Sequence, residues 1–100
     1  MNNIQTLPVI FRAEKSGPFK GDVTAVFPTL DAGAGMVTTY ARVGQHSGGC
    51  REWYDTTRAA DPYEYADLLA ELRGIYETGP DAVRLVVRQR WTQAMNRQRA

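Results

Sequence analysis

The one histidine and the one cysteine of this 100-residue chain fall in a single short stretch, GQHSGGC (44–50). A thiol and an imidazole this close can make a nucleophile, because the imidazole lowers the thiol's pKa and accepts its proton. His46 and Cys50 stand among glycines, which offer no rigid platform, and no third group that would orient the imidazole can be named. The stretch therefore reads as a flexible loop, and no catalytic residue is assigned. An enzyme built on His46 and Cys50 stays as a second alternative. A closed zinc site wants four ligands, commonly spaced pairs of Cys and His. One of each would need Glu52, Asp55 or a second chain, so neither a metal nor a cofactor is expected.

The other chemistry-bearing groups are similarly sparse. AGAG (32–35) and GQHSGG (44–49) lack the Gly-Lys-Ser/Thr ending of a phosphate loop, and each precedes a strand pattern instead of a helix N-terminus. Asp67 and Glu71 sit four apart on the outward side of a helix pattern, which is the signature of a solvated face. The arginines are more informative. Residues 82–100 carry Arg84, Arg88, Arg90, Arg97 and Arg99 and no acid, while the first 81 residues hold seven basic and eleven acidic groups. The simpler reading is compensation, with the basic end lying near the acidic helix. The sharper one is an arginine-bearing face, with Arg84, Arg88 and Arg90 beside Trp91, that takes an anionic partner such as nucleic acid. A net charge of +1 is low for such a binder.

These groups need elements to hold them, and one element is plainly written. Over 61–78, Tyr65, Leu68, Leu69, Leu72, Ile75 and Tyr76 form an apolar stripe on a 3.6-residue period. Asp61 can cap the start, Pro62 suits the first helical position, and Glu64 can reach back in a capping box. Gly79 can end the helix in a left-handed conformation, and Pro80 forbids its continuation. Strand patterns are read at 8–14, 22–27, 36–43 and 52–58 from alternation and from β-branched and aromatic content. The first two form a hairpin around the turn 15–21. Pro28 is expected to end the second strand, and 29–35 and 44–50 to be loops. Residues 82–90 fit strand or helix and are assigned to a strand, with a short helix after them. Residues 1–7 and 92–100 are expected to fray.

The expected fold is α+β: an antiparallel sheet of four or five strands with one main helix packed on one face, in a single domain over 1–100. Val9, Phe11, Val23, Ala25 and Phe27 face the helix. Ile10, Val26 and Tyr40 are placed on the opposite, half-apolar face, which is left for solvent, a partner or a second copy. Hydrophobic content of 43% and charged content of 23% suit a globular chain, and no apolar run approaches the ~18 residues of a membrane span. The start of the chain lacks a signal-peptide pattern, so a cytoplasmic location without membrane contact is the default expectation.

Taken together, VIFR (9–12), GDVTAVFP (21–28), YARVGQHSG (40–48) and EYADLLAELRGIY (64–76) resemble a group of small uncharacterised proteins carried on bacterial prophages, plasmids and integrative elements. The group has no assigned activity, so no catalytic residue is transferred. The resemblance implies an accessory protein that acts by binding a host protein. The leading expectation is a non-enzymatic binding or adaptor protein, with a protein partner or a homodimer, docking through the half-apolar sheet face or the 44–50 loop. Its candidate binding residues are Tyr40, Arg42, Gln45, His46, Trp53, Tyr54, Arg84, Arg88 and Arg90. Nucleic-acid binding through the basic C-terminal segment is the first alternative.

Overall fold

The computed structural model describes residues 5–41 and 44–99. Strands β1 (Thr6–Glu14), β2 (Val23–Gly33), β3 (Met36–Ala41) and β4 (Gln45–Gly49) run as an antiparallel meander. Helix α1 (Arg51–Asp55) and strand β5 (Thr57–Ala59) follow, then the long helix α2 (Pro62–Tyr76), strand β6 (Arg84–Val87) and helix α3 (Gln93–Arg99). The sheet order is β4-β3-β2-β1, and β5 and β6 share the far side of β1. β5 pairs antiparallel with its C-terminal half and β6 parallel with its N-terminal half. The expected α+β fold with a mainly antiparallel sheet is thus present, with a sixth strand and one parallel pair added.

Register decides which side chains share a face. Phe11, Ala25, Tyr40 and His46 form one cross-strand row, and Ile10, Val26, Thr39 and Ser47 form the next. Successive strand residues point to opposite faces, so the two rows lie on opposite sides of the sheet. The first face, with Val9, Phe11, Ala25 and Phe27, is covered by Leu68 and Leu72 of α2. Each of those leucines contributes roughly 1.5–3 kcal/mol of burial. Tyr65 stacks on Phe11 with centroids 4.3 Å apart, and Tyr76 leans on Phe27 at 5.1 Å. Ile75 remains 45% exposed, because at about 100° per residue it lies at the edge of the stripe.

The second face is not open. Ile10, Val26 and Val37 are buried under Tyr54, Trp91 and Met95. This corrects the expected half-apolar outer face in two ways. Ile10 and Val26 are core residues of a second layer, and Tyr40 lies on the α2 side. Part of the cover comes from residues expected to fray: Gln93–Arg99 is helical and buries Met95. Thr6 and Leu7 likewise belong to β1, paired with Arg84 and Leu85.

Three element assignments also change. Pro28 interrupts pairing without ending β2. Partners skip from Phe27 to Asp31, a bulge where the missing N–H does no harm, and the strand continues to Gly33. Residues 45–49 are a strand and not a loop. Residues 51–55 form one helical turn where a strand was expected. Its N-cap is Cys50, whose Sγ accepts the Trp53 N–H at 3.4 Å, and the Thr56 and Thr57 hydroxyls close it on the carbonyls of Trp53 and Tyr54, each at 2.6 Å. β5 keeps only the end of the expected strand. At α2 the reading holds: Glu64 accepts the Asp61 N–H at 2.9 Å, and Gly79 has φ +88°.

Candidate functional site

β4 is the outermost strand on its side of the sheet, and its sequence, QHSGG, carries neither charge nor proline. Gln45, His46, Ser47 and Gly48 are exposed. Strand edges are normally blunted by charge, proline, bulges or cover, because an unpaired row of N–H and C=O groups templates a new strand. The far edge is blunted. On β6 the N–H groups of Arg84 and Arg88 reach Gln5 and Val9 of the β1 side, so the Leu85 N–H points outward. Glu77 takes that N–H at 2.8 Å while also binding Arg73 at 2.6 Å. The Leu85 N–H and Arg73 both hold the Glu77 carboxyl below its ordinary pKa. β5 is only three residues long. Its central residue, Arg58, forms a two-pronged pair with Glu64 at 2.8 Å, which lowers the Glu64 pKa to about 2.

The α2 side of β4 is pinned by a polar–aromatic cluster. His46 Nε2 lies 2.8 Å from the Tyr76 hydroxyl, and its ring stands edge-on to Tyr40 with centroids 4.7 Å apart. The Tyr40 hydroxyl donates a short hydrogen bond to Glu71 Oε2. That bond, with burial, raises the Tyr40 pKa, and burial raises that of Tyr76, so both phenols stay protonated around neutral pH. The cluster buries Tyr40 and leaves His46 exposed at its rim. Its work is mechanical: it ties the edge strand to the helix.

On the other side, Thr39, Ala41, Gly49, Cys50 and Trp53 line a hollow of about 320 Å³ beside the edge. Gly49 is required there. A Cβ on it would lie 2.9 Å from Thr39 Cγ2 and 3.0 Å from the Trp53 ring. Trp53 is held from beyond by its indole N–H, which donates to Glu14 at 3.1 Å.

Of the sequence-predicted residues, Tyr40, Gln45, His46 and Trp53 gather around β4. Arg42 lies outside the described residues. Tyr54 is a core residue under Trp91 and Arg12. Arg84 and Arg88 lie beyond β1, at the edge of the sheet away from β4, and Arg90 follows in the exposed connection to Trp91. His46 and Cys50 do not form a pair: one binds Tyr76 and the other caps α1. Among the described residues no three His, Cys, Asp or Glu side chains gather as metal ligands. Glu71 and Tyr76 were missed as site residues. Each was read as a generic helix position, although a tyrosine on an apolar stripe signals a hydroxyl that needs a partner.

Comparison with protein families, with curated proteins and with solved structures finds no match. No described helix is long and apolar enough to cross a membrane.

Proposed function

We propose that this chain is a small non-enzymatic adaptor protein of a bacterial mobile element, acting in the cytoplasm by taking an extended segment of a partner protein onto the outer edge of β4. The supporting observation is the asymmetry of the two edges. One is closed by Glu77 and by the shortness of β5, while β4 offers uncharged, proline-free backbone beside an aromatic hollow. Strand addition draws affinity from main-chain hydrogen bonds and specificity from pockets for alternate side chains. The Trp53 hollow is such a pocket.

The test is a nuclease-treated pull-down that compares the wild type, Ser47→Lys and the double variant Arg88→Ala/Arg90→Ala. A partner kept by the arginine variant and lost by Ser47→Lys is expected, with β4 amides gaining hydrogen-exchange protection in the complex. A partner retained by Ser47→Lys sinks the edge. A concentration-dependent dimer abolished by Ser47→Lys would make the added strand a second copy of this chain.

A second reading, nucleic-acid binding, is favoured by one observation. Only the start of the basic C-terminal segment meets the acidic helix, at Arg84 near Glu77; α3, with Arg97 and Arg99, covers the face of the sheet opposite α2. Among the described residues Arg88, Arg90 and Arg97 meet no carboxylate within ion-pair distance. Binding of this kind weakens steeply with salt. Affinity for a single-stranded oligonucleotide that does not change between 50 and 200 mM salt (about a fourfold range) would rule it out.

A further inference from the structure

Two of the three large apolar side chains exposed among the described residues, Phe19 (66%) and Tyr63 (81%), line the same groove. Scattered exposed aromatics are ordinary, but aromatics converging on one concavity are not. The groove has a volume of about 640 Å³ and lies at the end of the sheet where the β1–β2 turn faces the start of α2. Trp53 supplies a third aromatic wall, and Glu14, Asp22 and Glu64 supply three carboxylates.

The carboxylates are not equivalent. Glu64 is neutralised by Arg58. Among the described residues the Glu14 carboxylate accepts the Trp53 indole N–H, a neutral donor, and neither Glu14 nor Asp22 has a lysine or arginine within ion-pair distance. Among the described residues the groove therefore combines two carboxylates without an ion-pair partner with three aromatic faces. Aromatic faces attract cations through the ring quadrupole, and carboxylates do so by charge. Few side chains use both at once. Arginine and lysine do, laying an apolar stem along rings and placing a charged head against oxygen acceptors.

We propose that this groove is a binding site for an arginine or lysine side chain of a basic peptide segment in a protein partner. The stem lies between Phe19, Tyr63 and Trp53, and the charged head meets Asp22 and the remaining lone pairs of Glu14. Ala41 and Trp53 line both this groove and the hollow beside β4, so a segment running along the edge strand passes its mouth. The groove itself does not depend on the edge, and the two sites are tested separately.

The molecule carries its own reporter pair. The Trp53 indole N–H sits on Glu14 inside the groove, while the Trp91 indole N–H is bonded to Asn96 at 2.7 Å in the second layer. The experiment titrates ¹⁵N-labelled full chain with acetyl-Gly-Arg-Gly-amide, its lysine counterpart and its citrulline counterpart. Expected is a saturable shift of the Trp53 indole signal with arginine and lysine, absent with citrulline, while the Trp91 signal stays still. Asp22→Asn and Phe19→Ala, both at exposed turn positions, should each weaken binding at least threefold. A still Trp53 signal, an equal response to citrulline, or shifts confined to the outer side of α2 would overturn the proposal. Wild-type affinity in both variants would do the same.

Discussion

Gly49 sits where three constraints meet: strand pairing with Val37, the methyl of Thr39 and the ring of Trp53. Thr39 is buried in a strand and cannot yield, so a Gly49→Ala side chain must displace Trp53 from Glu14. The expected cost is about 1–3 kcal/mol, the usual range for overpacking, read as a lowered urea midpoint with a changed Trp53 indole resonance. An unchanged midpoint would mean that Trp53 swings freely. Nothing in GQHSGGC announced this role, because the reason for the glycine is a tryptophan folded over from the next element. Asp61, Pro62, Glu64 and Gly79 were legible for the opposite reason: caps act within one turn of chain. The cluster of Tyr40, His46, Glu71 and Tyr76 lies between these cases. Tyr40 and His46 were selected from sequence, but their partners come from α2 and required the register.

At the scale of elements, helices α1 and α2 show what periodicity can and cannot tell. The α2 stripe runs for several turns and is unmistakable, whereas one turn, REWYD, has no period and its aromatic content mimics a strand. β4 was misread because QHSGG has low strand propensity; pairing with β3 overrides it. The joins between elements lean on carboxylates. Glu64 ties the start of α2 to Arg58 of β5, and Glu77 ties its end to β6. Both have folded-state pKa values below their ordinary ones, that of Glu64 at about 2. The stability they confer is therefore complete above the unfolded carboxyl pKa, near 4.5, and drains away as pH falls below it, the Glu64 part as pH approaches about 2. Acid titration of folding should show this limb, and Glu64→Gln with Glu77→Gln should flatten it. A limb of equal depth in the double variant would place acid sensitivity elsewhere. With Glu77 neutralised, hydrogen exchange at Leu85 should quicken before that at Leu7.

Across the whole molecule, the sheet is a filled layer between an acidic helix and an arginine-rich cover. Trp91 is the hinge of that cover. It is 8% exposed, stands edge-on to Tyr54, and has Arg51 and Arg99 within cation–π reach. Trp91→Ala should cost about 3–5 kcal/mol, as for other large-to-small core changes, and should uncover Ile10, Val26 and Val37. Chemical denaturation measures the cost, and light scattering should detect self-association through the bared face. A monomer of near-native stability would show that α3 holds without its anchor. The covered face was beyond a reading of strands alone, since alternation says that Ile10 and Val26 point away from α2 but not what meets them. The topology has a further consequence, for synthesis on the ribosome. The meander β1–β4 emerges first and can pair at once, but the N-terminal half of β1 waits for β6, and the second face waits for Trp91 and α3. Until β6, Trp91 and α3 leave the exit tunnel, the nascent chain displays a second bare edge and an uncovered apolar face. Trp91 and α3 therefore close the second face last, and a stop codon placed just before Trp91 should yield an aggregation-prone product.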